Sequence, residues 1–69
     1  MTIVEASREL FQSLRSYNEV VGTAVVTKNN SPYIVVYIEK ATKAILDRIP
    51  RNYKGNNVKT EISDSFYSF

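Results

Sequence analysis

Apolar residues along the chain follow two spacings, and the change from one to the other marks out the elements. Ile3, Ala6, Leu10, Leu14 and Tyr17, with Phe11 at the margin, recur at three- and four-residue steps. That spacing predicts a helix from about Ile3 to Ser16 with one apolar stripe. Glu5, Ser7, Glu9 and Gln12 are expected to face elsewhere. Thr2 and Glu5 have the separation of a capping box, which places the helix start. The stretch "EVVGTAVVTK", residues 19 to 28, is rich in β-branched residues and predicts a strand. Gly22 within it marks a bulge or a close approach by the helix. Asn29-Asn30 then separates two apolar runs and predicts a tight hairpin turn, because asparagine tolerates positive φ.

The following run, "SPYIVVYIEK", residues 31 to 40, is apolar on both faces if it forms a strand. Ile34, Val36 and Ile38 share one face, and Tyr33, Val35, Tyr37 and Glu39 share the other. The aliphatic face is expected to pack on helices. What covers the tyrosine face is left open. A second helix is predicted from Thr42, its N-cap, to Ile49, with Ile45, Leu46 and Ile49 on one side. Pro50 disfavours helical geometry at Ile49 and ends it there. "RNYKGNN", residues 51 to 57, reads as a turn-rich connection. "VKTEIS", residues 58 to 63, alternates and reads as a third strand with Val58, Thr60 and Ile62 on one face.

The expected fold is therefore α+β, in the order α-β-β-α-β. One small domain, residues 1 to 64, would carry a three-stranded sheet with two helices packed on one face. Residues 65 to 69 form an aromatic C-terminal tail. The crossover from the second to the third strand should make those two strands parallel. Whether the third strand lies beside the first or the second is open at this point.

Composition narrows the function classes. A chain of 69 residues with 43% hydrophobic content and a mean hydropathy of -0.24 is an ordinary small globule. With no apolar run near the roughly 20 residues of a membrane span, no membrane role is expected. The start, "MTIVEASREL", lacks a basic segment ahead of an apolar one, so it does not read as a signal peptide, and a cytoplasmic location is the default. There is no histidine and no cysteine. A Ser-His-Asp triad and a cysteine nucleophile are thereby excluded within the chain. Glu5 and Glu9 lie one helical turn apart, but beside Arg8 they read as a solvated face. No catalytic residue, metal site or cofactor is predicted, and the chain is not expected to be an enzyme.

Two binding readings remain. Residues 40 to 59 hold Lys40, Lys43, Arg48, Arg51, Lys54 and Lys59 against Asp47 alone, within a net charge of +2 for the chain. Lys40, Lys43, Arg48, Arg51 and Lys54 could meet the phosphates of a single-stranded nucleic acid while Tyr53, Tyr33 or Tyr37 stacks on bases. The favoured reading is protein contact. Tyr33, Val35 and Tyr37 make a patch of the kind enriched at interfaces, and the tail adds Phe66, Tyr67 and Phe69. The prediction is a homodimer or an unidentified protein partner, with nucleic acid as the alternative.

Val20-Val21-Gly22, Ile34-Val35-Val36-Tyr37, Ile49-Pro50 and Gly55 together resemble a small uncharacterised bacterial α/β domain. That module is found ahead of trypsin-like serine peptidase domains and sometimes alone. The similarity covers about Asn18 to Asp64, and the chain departs from the pattern at Ala24 or Val25, where a second glycine is usual. The resemblance implies a fold and an accessory, regulatory or chaperone-like role toward such a peptidase. It carries over no peptidase domain and no catalytic residue.

Overall fold

A computed structural model describes residues 2 to 63. Asp64 and the aromatic tail, with the interface candidates Phe66, Tyr67 and Phe69, lie outside the described residues. Helix α1 spans Ile3–Leu14 and begins with the expected capping box. The Glu5 amide donates to Thr2 Oγ1 at 3.2 Å, and the Thr2 amide donates to Glu5 Oε1 at 3.4 Å. Two of the otherwise unpaired N–H groups of the first turn are thereby satisfied. Ala6, Leu10 and Leu14 are buried, and Ile3 and Tyr17 pack against them from either end. The helix stops two residues before the expected Ser16.

Strand β1, Val20–Lys28, and strand β2, Ser31–Ile38, form an antiparallel hairpin. Asn29 and Asn30 take φ values of 53° and 63°, the left-handed pair that matches the twist of a two-residue turn. The register shifts between Val20 and Gly22, leaving Val21 as the extra residue of a bulge. A side chain placed at Gly22 would meet nothing within 4 Å. Gly22 therefore marks the bulge and is not required by a close approach of α1.

Helix α2, Lys43–Arg48, starts at its Thr42 cap, whose hydroxyl accepts from the Ile45 amide at 3.4 Å. It ends at Ile49, which is extended at φ -88° and ψ 117° as the following proline requires. Ile45 and Ile49 are buried, but Leu46 is 43% exposed, so it does not join the inward side as expected. One residue along a helix is a turn of about 100°, and in a helix this short that carries Leu46 past the contact line.

The expected three-stranded sheet is corrected to four strands among the described residues. The segment read as a connection contains β3, Asn52–Tyr53, which pairs antiparallel with β4, Asn56–Ile62. Lys54 and Gly55 between them have φ values of 53° and 82°, a second two-residue turn. The Asn56 side chain braces it by donating to the carbonyls of Tyr53 and Lys54 at 3.2 and 3.3 Å. A two-residue strand is too short to show alternation, which is why only the turn residues were legible. Strand β4 runs parallel to β2, and the order across the sheet is β1-β2-β4-β3.

Central placement explains the doubly apolar β2. Ile34, Val36 and Ile38 are fully buried in one cluster with Leu10, Leu14, Ile45, Ile49 and Val58. That cluster joins both helices to one face of the sheet, as expected. Val35 is also buried, at 1% exposure, yet it stands outside the cluster because it points the other way. Ile62 has the inward parity of Val58 but is 57% exposed at the sheet's end.

Candidate functional site

Paired residues on neighbouring strands point to the same side of a sheet, so the register assigns the face away from the helices. On β2 it holds Ser31, Tyr33, Val35 and Tyr37. Across from them on β1 stand Lys28, Val26, Ala24 and Gly22 in turn. On β4, Lys59 pairs with Val35 and Glu61 with Tyr37, and Asn57 shares their parity. Tyr33, Val35 and Tyr37 thus come together as expected, with both tyrosines half-buried.

Charge on this face is polarised along the strands. Lys28 stands at the hairpin end beside Ser31, and Lys59 leans the same way, its Nζ lying 4.7 Å from the centre of the Tyr33 ring. That distance is within the range of a cation–π contact. Glu61 stands at the opposite end beside Tyr37, followed by Glu39 just past β2. The Glu39 amide donates to the Glu19 carbonyl at 2.8 Å, which brings a further acid to that end. At the basic end, Lys28, Asn29, Ser31, Pro32, Tyr33, Asn57 and Lys59 line an open groove of about 250 Å³.

The candidates for nucleic-acid contact are distributed differently. Lys40 follows β2, Lys43 and Arg48 are the first and last residues of α2, Arg51 precedes β3, and all four are exposed. Tyr53 and Lys54 are already engaged. The Tyr53 hydroxyl donates to Glu9 Oε1 at 2.7 Å, Lys54 Nζ lies 3.6 Å from the same oxygen, and the Tyr53 ring packs against the helix-side core. Tyr53 is therefore on the other side of the sheet from Tyr33 and Tyr37, and the three cannot form one stacking surface. Glu9 is exposed, as expected of a solvated helix face, and it also clasps the β3–β4 hairpin to α1. Glu5 is held in the capping box, so the two acids have separate partners.

The clasp shifts both of its acid groups. The hydrogen bond from Tyr53, aided by the nearby Lys54 ammonium, holds the Glu9 carboxyl below its ordinary value of 4.5. The same bond to Glu9, with partial desolvation and the carboxylate charge, raises the Tyr53 phenol above 10.0. A depressed carboxyl stabilises the fold above pH 4.5 and loses that contribution as pH falls through its lowered value. A raised phenol contributes below pH 10 and loses it as pH rises through its elevated value. Unfolding followed across pH should show a stability decrement at each edge, and Tyr53→Phe should remove the alkaline one and shrink the acid one. An unchanged profile in that variant would show that the clasp contributes nothing.

Lys28, Asn29, Ser31, Asn57 and Lys59 were not singled out from the sequence as one site. Lys28 was within reach, since a two-residue turn at Asn29-Asn30 fixes its pairing with Ser31. Lys59 was not, because its neighbour depends on strand order. Among the described residues, no helix is long and apolar enough to cross a membrane. Comparison with protein-family models, with curated proteins and with solved structures found no match. The reading of function therefore rests on this face.

Proposed function

We propose that the protein is a non-catalytic interaction module that associates with a second copy of itself through the sheet face bearing Tyr33, Val35 and Tyr37. The observation that carries the reading is the polarity of that face, basic at the Lys28 end and acidic at the Glu61 end around an apolar centre. Such a face is complementary to itself. Two sheets packed face to face are related by a two-fold axis lying between them, and the axis can run along the strands or across them. An axis along the strands sets lysines over lysines. An axis across them, near Val35, sets the Lys28 end over Glu39 of the other copy and Tyr33 over Tyr37, while Lys59, in register with Val35, reaches Glu61 of the other copy through the lean of its side chain toward Tyr33. Charge selects the second arrangement, because opposing charges fix orientation more than they add affinity.

The face is small. Eight residues of β2 at about 3.3 Å each, across three strands spaced about 4.8 Å, give on the order of 400 Å² per copy. Stable interfaces bury about 800 Å² per partner, so association here is weak and concentration-dependent. The test is absolute mass by light scattering over a wide concentration range. Mass should climb from 7.9 kDa toward twice that value. The double variant Lys28→Glu, Lys59→Glu should stay monomeric, as should Glu39→Lys, Glu61→Lys, and mixing the two should restore a dimer. A monomer at every concentration, or a dimer indifferent to these charges, would sink the proposal. Removing residues 65 to 69 asks a separate question, and an unchanged dimer would exclude the tail as its seat.

A further inference from the structure

The groove at the basic end of the sheet face shares Lys28, Lys59 and Tyr33 with the proposed dimer contact, and in the monomer it has a chemistry of its own. Among the described residues, its charged side chains are Lys28 and Lys59, and none of those lining it is a carboxylate. Asn29, Asn57 and Ser31 add uncharged donors. Tyr33 forms an aromatic wall whose ring already attracts the Lys59 ammonium. Two cations, hydrogen-bond donors and one aromatic ring side by side match a ligand that joins an anion to a planar ring. We propose that this groove is a nucleoside-phosphate site, in which Lys28 and Lys59 hold the phosphate and Tyr33 stacks on the base.

Size limits the ligand further. Ligand pockets for drug-sized molecules run from about 300 to 1,000 Å³, and this groove is below that range at about 250 Å³. A groove of this size has room to contact one nucleotide, free or as one unit of a single strand. The cation–π contact gives the site a built-in exchange. A phosphate draws the Lys59 ammonium off the Tyr33 ring, and the vacated ring becomes available to the base. Phosphate and base then assist one another, so their combination should bind more tightly than either part. The turn that carries Asn29 is set by its paired positive φ values, which holds the groove's hairpin wall in place before a ligand arrives. This site lies across the sheet from Tyr53, which packs against the helix-side core, and it leaves Lys40, Lys43, Arg48 and Arg51 unused. It does not depend on the dimer, although a ligand here would compete with a partner's Glu61 for Lys59.

The test is a titration by two-dimensional amide NMR at low ionic strength, at a protein concentration where light scattering shows a monomer. Uridine 5′-monophosphate, inorganic phosphate, uridine and an oligothymidylate are added separately. The nucleotide should shift the amides from Lys28 to Tyr33 and from Asn57 to Lys59, and bind at least about tenfold more tightly than phosphate or uridine. Lys28→Gln with Lys59→Gln should weaken it about tenfold or more with the spectrum otherwise intact, since both side chains are exposed. Tyr33→Leu should retain phosphate binding and lose the advantage of the nucleotide. An oligomer that binds more tightly than the mononucleotide identifies a strand as the natural source, and equal affinity identifies a free nucleotide. No shift, shifts centred on Lys40 to Lys54, or phosphate binding as tightly as the nucleotide would overturn the proposal.

Discussion

Leu10→Ala is expected to remove about half of the protein's stability and to lower its melting temperature by at least about 8 °C. Leu10 is 2% exposed and sits in the cluster that ties α1 to Ile34, Val36 and Ile38 on β2. Truncating a buried leucine to alanine costs about 2 to 5 kcal/mol, because lost transfer energy adds to the cavity left behind. A chain of 69 residues has a total stability of about 3 to 10 kcal/mol at ordinary values per residue. The loss is therefore about half of that margin, and no disulfide exists to hold the fold. Each kcal/mol corresponds to about 4 to 8 °C in the melting temperature of a domain this size. Thermal unfolding by circular dichroism should show a fall of at least about 8 °C. Val4→Ala is the control. Val4 is on the same helix but 48% exposed, and its change should stay within about 0.5 kcal/mol. Equal effects from the two variants would mean that the core is not where the buried cluster places it.

The second large effect concerns a polar pair inside the helix–sheet interface. Ser7 is 5% exposed, contrary to the expectation that it faces away from the core. Its hydroxyl donates to Thr23 Oγ1 at 3.0 Å, and that oxygen in turn donates to the Ser7 carbonyl at 3.3 Å. The loop of donors and acceptors is closed, and among the described residues no buried side-chain nitrogen or oxygen lacks a partner. Thr23→Val keeps the shape but strands the Ser7 hydroxyl, which should cost about 1 to 3 kcal/mol. Adding Ser7→Ala removes the stranded group. The double variant should therefore recover much of the loss, with a coupling energy above about 0.5 kcal/mol from denaturant unfolding. Strict additivity of the two single changes would show that the hydroxyls do not act as a pair.

Ser7 also shows why part of the structure was illegible. Serine counts as polar in any periodicity, so its inward position between Ala6 and Leu10 gave no apolar signal. The same holds for Glu9, whose partner Tyr53 is 44 positions away along the chain. Nothing in the spacing of "RNYKGNN" connects its tyrosine to a carboxylate on the first helix. By contrast, Thr2, Thr42, Asn29-Asn30 and Ile49-Pro50 act on their own backbone or on that of near neighbours. Those signals were read correctly because each closes over a few residues. The candidate face was half legible. Alternation placed Tyr33, Val35 and Tyr37 together, while the lysines beside them required knowing which strands are neighbours.

By itself the amino-acid sequence determined the kinds of element, their caps and turns, the inward face of β2 and the parallel return of the last strand. These follow from local sterics and from the match between apolar spacing and backbone period. The tertiary structure alone decided the order β1-β2-β4-β3, the added strand β3, the closing of Glu9 on Tyr53 and the placing of Lys59 over Tyr33. Apart from β3, which pairs with β4 across a two-residue turn, each of these joins segments far apart in the chain, where the outcome depends on whether the free edge of β1 or that of β2 gives β4 the better cover for Val58 beneath the helices. A pattern of apolar positions states that a face must be buried, and only the packed chain states against what.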